Sequence, residues 1–259
     1  MKAQMLFLSI LLAAFYLTSC NDSTADFEPV YESVEKSLMI DGECTDSVFT
    51  STTDDLTEAD IENLHFMREE EKLAHDVYLY FFDLYGERIF SQIAQSEAKH
   101  MEAISKLLVY FEIEDLSATE TGLFNNSDLQ ALYDQLILLG EESLEAALAV
   151  GALIEETDIA DLIESIEETE NSDIELVLDK LLNGSYNHLK AFVSVLSANN
   201  VNYSPQILSQ DDFDAIMAMT NGNNGNGNKQ GYKNSNKTKK GEGAQQMKKS
   251  NKGKKGGQA

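Results

Sequence analysis

Four separated stretches of the chain place a carboxylate or an imidazole where an apolar helical stripe should run. They are Glu71, then Glu97 with His100, then Glu155 or Glu156, then His188. Glu97 and His100 are three residues apart, nearly one helical turn, so both side chains point at the same spot. A carboxylate turned into a core is costly unless it finds a partner there. A pair of divalent cations is one such partner: carboxylates bridge or cap the ions, and neutral imidazole nitrogens complete each shell. A carboxylate-rich shell with two histidines suits iron or manganese and chemistry with oxygen or peroxide, such as ferrous oxidation or peroxide reduction.

These residues need long helices to carry them, and the periodicity supplies four. Thr57 is a cap with Asp60 at the third position beyond it, which predicts a helix over about 58–85. Its stripe runs through Ile61, Leu64, Met67, Ala74, Tyr78 and Phe82, and Gly86 breaks it. Further long helices are expected over about 88–111, 142–168 and 172–198, with a short one at 128–139 and a small one near 210–219. In REEEKLAHDVY the helical phase selects Glu71 as inward, whereas Glu69 and Glu70 are expected to face solvent. His75 is read as a hydrogen-bonded histidine, His65 as a surface one, and Tyr78, Tyr80, Phe81, Phe82 and Tyr85 as packing residues. No strand pattern stands out. An all-α protein follows, an antiparallel four-helix bundle with a longer crossover between the second and third long helices.

The 259 residues carry 45 acidic and 19 basic side chains, and the charge is unevenly placed. From Asn221 onward there are ten Lys and one acid, so a net charge of −26 with +9 in that tail leaves −35 for the rest. So acidic a body excludes nucleic acid as the expected partner, since phosphates would be repelled. Residues 1–19 read as a signal peptide, with Lys2 ahead of the apolar run Met5 to Leu17. Leu17-Thr18-Ser19-Cys20 resembles a bacterial lipobox, which makes Cys20 the lipidation site and the membrane a partner through the anchor. The expected location is therefore the bacterial cell envelope, lipid-anchored and facing the periplasm or exterior. With only Cys44 besides, neither a disulfide framework nor a thiolate metal site is expected. Residues 20–56 read as a polar tether, 57–219 as the helical domain, and 220–259 as a disordered Gly/Asn/Lys-rich tail.

The segments EEEKLAHDVY, SEAKHMEA, GALIEETDIADL and LLNGSYNHLKAF, in this order, resemble the ferritin-like di-iron carboxylate bundles of the rubrerythrin and bacterioferritin type. More narrowly, they resemble the ferritin-like branch named domain of unknown function 2202, over about residues 58–219. The resemblance implies a Glu from each of helices one and three and Glu-x-x-His from each of helices two and four. On that pattern Glu71, Glu97, His100, Glu155 or Glu156, and His188 are the expected metal ligands. The departure is Ser185, which stands where the pattern has a glutamate. Three outcomes stay open: one ion, two ions with Glu156 or Asp158 supplying the missing carboxylate, or none. The competing function is a metal-free bundle acting as an envelope binding or scaffolding module, motivated by Ser185 and the basic tail. Loose cation binding on the acidic surface is a third. A closed storage shell is not expected, while a homodimer is compatible with the chain.

Overall fold

Short polar caps set the helix boundaries. The computed structural model describes residues 49–53 and 56–219. Thr57 and Asp60 form a reciprocal capping box that starts α1 (Glu58–Tyr85). The helix ends at Gly86, whose φ of 73° lies in the left-handed region that glycine adopts without cost. Helix α2 (Arg88–Tyr110) follows at once. Asn126, Ser143, Asn171 and Ser209 each accept backbone N–H bonds at the starts of α3 (Ser127–Gly140), α4 (Leu144–Glu168), α5 (Ser172–Ala198) and α6 (Gln210–Met217). Six helices and no strand are present among the described residues, so the protein is all-α there. All six lie in one unit that ends at Ala218.

The two-residue link between α1 and α2 and the three-residue link between α4 and α5 fold each pair back on itself. The pairs then meet along an α1–α4 seam and an α2–α5 seam, with α3 against α1 and α4. The connection 112–126 has no regular structure, and polar side chains of α1 hold it in place. Glu69 accepts from the N–H groups of Asn125 (2.7 Å) and Asn126 (2.8 Å). Lys72 donates to Asp76 and to the carbonyls of Glu120 and Leu123, and its ammonium lies over the Phe124 ring. Glu69, expected to face solvent, is therefore buried, because the connection 112–126 covers its side of the helix.

Two apolar layers fill the interior. One holds Tyr78, Phe81, Phe90, Ile93, Leu148, Leu189 and Phe192. The other holds Leu64, Met67, Ile104, Leu108, Leu162, Val177, Leu178 and Leu181. Between Met67 and Ala74 on α1, Ala94 and Ala103 on α2, Ile154 and Leu162 on α4, and Leu181 and Leu189 on α5, every long helix turns polar residues inward. The result is one polar layer between two greasy ones.

The signal peptide, Cys20 and the basic tail lie outside the described residues. The end of the expected tether does not. Phe49 is buried against Tyr110, and the N–H groups of Thr50 and Ser51 donate to Asp173 at 2.7 and 2.6 Å. Residues 49–53 thus pack onto the start of α5 and the end of α2.

Candidate metal centre

The polar layer converges on Glu97, which α2 projects between the two helix pairs. Its Oε2 lies 2.8 Å from Nδ1 of His100, one turn further along α2, and its Oε1 lies 2.8 Å from Nδ1 of His188 on α5. Glu71 of α1 brings Oε2 to 3.0 Å from the same His100 nitrogen, and Glu155 of α4 brings Oε2 to 3.3 Å from the His188 nitrogen. Two groups result: Glu71, Glu97 and His100, and Glu97, Glu155 and His188. In each, ligand atoms lie within 4.8 Å of one another, a spacing that could hold a metal ion. Glu97 belongs to both. The two imidazoles stack, with ring centroids 5.4 Å apart.

All five side chains are at most 1% exposed, a burial that only strong mutual compensation makes tolerable. Direct pairing supplies part of it. Both Glu97 oxygens, Glu71 Oε1 and His188 Nδ1 nevertheless have no hydrogen-bond partner, although their neighbours are close. Short N···O distances without hydrogen-bond alignment are what atoms aimed at a common centre produce. The donor set, carboxylate oxygens plus one Nδ1 per group, fits iron or manganese.

The surroundings orient these side chains. Ser96 Oγ lies 2.9 Å from Nε2 of His188, and the Tyr78 hydroxyl donates to Oε1 of Glu155 at 2.5 Å. Around His100 the space comes from Gly184 of α5: a Cβ there would stand 2.5 Å from Nε2 of His100. The charges are strongly coupled. Burial pushes Glu71 up to about 8, against the pull of the His100 imidazole. Burial also opposes ionisation of Glu97, but the imidazoles of His188 and His100 outweigh it and hold that carboxyl well below its usual range. His188 is held at about 10, because Glu97 and Glu155 outweigh the burial that would lower it.

Ser185, the departure from the expected pattern, is fully buried and hydrogen bonds to Asp158 of α4. Asp158 lies three residues beyond Glu155, so the same one-turn spacing that joins Glu97 to His100 brings it to this layer. Burial, and then the charges of Glu71, Glu155 and Glu97, push its carboxyl well up. A carboxylate of α4 thus stands where α5 offers only a hydroxyl.

Glu156 was expected as an alternative ligand to Glu155, and the structure places it elsewhere. It points toward the segment 203–208, where its carboxylate accepts from the Tyr203 hydroxyl and from the N–H groups of Gln206, Ile207 and Leu208. Adjacent helical residues diverge by about 100°, and α4 is buried on every side from Ala146 to Ile159, so both glutamates are internal but in different places. Glu156→Ala should lower stability by about 3 kcal/mol, since it strands several buried donors that now bond to a charged acceptor. Thermal melts should read this as a drop of roughly 6–12 °C, with metal binding at the centre unchanged. A loss of metal binding in a folded Glu156→Ala protein would return it to the ligand set.

Glu70, expected to be solvent-facing, is 4% exposed and faces Asp161 of α4. Tyr78, expected as packing alone, also anchors Glu155. His75 bonds to Asp76 at 2.9 Å, and His65 lies 2.9 Å from the carbonyl of Glu114. Neither joins the centre.

Fold and site together define an all-α protein with a buried carboxylate–imidazole cluster built from four helices. The chain belongs to the family described as an uncharacterized protein domain (DUF2202), whose model matches residues 60–220. It is 42% identical over 166 residues to an uncharacterized protein, MJ0754, of Methanocaldococcus jannaschii, covering 64% of this chain and 90% of that protein. The crystal structure titled hypothetical protein MJ0754 superposes with a TM-score of 0.63 at 41% identity, over 64% of this chain and 96% of the other. That organism is an archaeon, without a bacterial envelope and its periplasm, so the expected location in the bacterial cell envelope does not hold. Among the described residues no helix is long and apolar enough to cross a membrane.

Proposed function

We propose that this protein is a ferritin-like four-helix bundle with a crossover between its second and third long helices, and that it binds two divalent ions, iron or manganese, between those helices. The observation that carries the reading is the sharing of Glu97: one buried carboxylate offers one oxygen to each of two otherwise separate groups. Glu71 and His100 hold one position, Glu155 and His188 the other, and Glu97 bridges them. Iron or manganese held there supplies redox chemistry with oxygen or peroxide.

The chain's own residues prepare that site. His188 presents Nδ1 inward, and the 2.9 Å contact of its Nε2 with Ser96 Oγ orients the ring; with an ion on Nδ1, the proton would sit on Nε2 and face that hydroxyl. Tyr78 holds Glu155 by its hydroxyl, and the phenol stays protonated because burial and the Glu155 charge push its ionisation well up. The apolar layers on either side keep bulk water from the ligands. The metal-free scaffolding reading rests on Ser185 and the basic tail, and Asp158 weakens the first of these by supplying a carboxyl beside Ser185.

Anaerobic titration of the full chain with ferrous iron should saturate near two ions per chain. Admitting oxygen should then develop near-ultraviolet absorption of ferric carboxylate. His100→Ala should lose one of the two ions. An absence of binding in the wild-type chain, or a His100→Ala protein indistinguishable from it, defeats the proposal.

A further inference from the structure

Beyond the five residues of the centre, further buried acids lie on the α1–α4 seam. Along α4, Glu155, Asp158, Asp161 and Glu164 recur every three residues, so each adjoins the next in a row that winds around the helix. The row runs outward. Glu155 belongs to the centre, Asp158 and Asp161 are 5% and 3% exposed, Glu164 is half-buried, and Glu167 and Glu168 at the helix end are exposed. From α1, Glu70 faces Asp161 within hydrogen-bonding reach, and the charges of Asp161, Asp158 and Glu71 all bear on it.

Ser185 bonds one oxygen of Asp158, but structural pairing leaves the rest of these carboxyls unmatched. Glu70 Oε2, Asp161 Oδ2 and Asp158 Oδ1 are each buried without a hydrogen-bond partner. The groups that most strongly shape the electrostatics of Glu70 and Asp158 are carboxyls, with no lysine or arginine among them. Facing acids with stranded oxygens are unfavourable in an interior. A proton shared between Glu70 and Asp161 relieves part of the repulsion, and a divalent cation relieves more.

We propose that Glu70 and Asp161 form a cation-entry site, which takes a divalent metal ion arriving past Glu164 and hands it through Asp158 to the buried centre. The inference rests on the two-ion reading above. It explains why the carboxyls recur every three residues: an ion moving from the end of α4 to Glu71 or Glu155 meets the next oxygen ligand beside the last. The site is transient by construction, since two carboxylates without an imidazole hold an ion less firmly than the centre does.

Cobalt(II) alone serves as the probe, with loading of the full chain followed by visible absorbance in a stopped-flow mixer. In the wild type the band should grow to a fixed amplitude. In the Glu70→Gln/Asp161→Asn variant it should reach the same amplitude at least tenfold more slowly. The amides can still hydrogen bond to one another, so the fold should persist, and a thermal melt checks it. Asp161→Asn alone is the second variant, with Asp161→Glu expected to restore the rate. Equal loading rates in wild type and folded variants would overturn the entry site while leaving the buried centre standing. A loss of final amplitude would overturn it too, by making the pair part of the centre. No cobalt band in the wild type would remove both readings together.

Discussion

Glu97→Gln should cost the protein both metal positions at once, whereas His100→Ala and His188→Ala should each cost one. The difference follows from geometry. Each histidine belongs to a single group, and Glu97 belongs to both, with Oε2 facing His100 and Oε1 facing His188 at 2.8 Å each. Glutamine keeps the shape but loses the charge and turns one oxygen into an N–H donor, which cannot ligate a cation. Loss of an outer-shell partner of a metal ligand typically lowers affinity about 10–100-fold, so loss of the shared ligand itself should exceed roughly 100-fold for both ions. Equilibrium dialysis with elemental analysis reads the stoichiometry. A Glu97→Gln protein that still binds two ions tightly would mean the two groups act independently.

The same substitution should also lower the melting point of the metal-free protein at neutral pH. The imidazoles of His188 and His100 hold the Glu97 carboxyl below its ordinary value of 4.5, in spite of burial. A depressed carboxyl contributes stability that is fully present above its unfolded value and is lost only as pH falls toward the folded one. At pH 7 that contribution is complete in the wild type and absent from Glu97→Gln. The two histidines are then left without their shared counter-charge.

The centre was legible in the sequence wherever a polar residue kept the phase of an apolar stripe. Glu71, Glu97, His100, Glu155 and His188 all do so, and the structure brings all five together. Helix ends were legible for a related local reason: Thr57, Asp60 and Gly86 act through bonds to their own neighbours in sequence. What stayed hidden depends on how many sides of a helix are covered. A stripe presumes one buried face, but α1 packs against α2, α3 and α4 and also carries the 112–126 connection. Glu69 and Glu70 are consequently internal at positions that look exposed by phase. Glu156 was misplaced for the same reason, because its partners are backbone N–H groups some 50 residues away that no side-chain pattern announces. Asp158 lay between these cases. The sequence offers it, with Glu156, as a carboxylate that could stand in for the missing glutamate, but only the bond from Ser185 places it beside that residue.

Manganese(II) should raise the melting temperature, and the rise should be larger at pH 8 than at pH 6. Without metal, the folded chain holds protons that the unfolded chain lacks. Burial, working against the His100 charge, pushes Glu71 from its ordinary 4.5 up to about 8. Burial acts oppositely on His188, but Glu97 and Glu155 outweigh it and hold the imidazolium from its ordinary 6.5 up to about 10. Both shifts have the same sign. The stability they contribute is fully present below the unfolded values and is lost as pH rises, through about 8 for Glu71 and about 10 for His188. The metal-free protein should therefore melt lower at pH 8 than at pH 6. An ion at the centre needs Glu71 ionised and Nδ1 of His188 bare, so binding expels those protons and tightens as pH rises. At a free ion concentration of 100 times Kd the stabilisation is about 2.7 kcal/mol, or roughly 5–10 °C for a domain of this size. Lowering the pH to 6 should erase much of it. A pH-indicator dye in weak buffer should record proton release on manganese addition at pH 7. A melting shift that is equal at the two pH values, with no protons released, would mean that manganese sits on the acidic surface and not between the four helices.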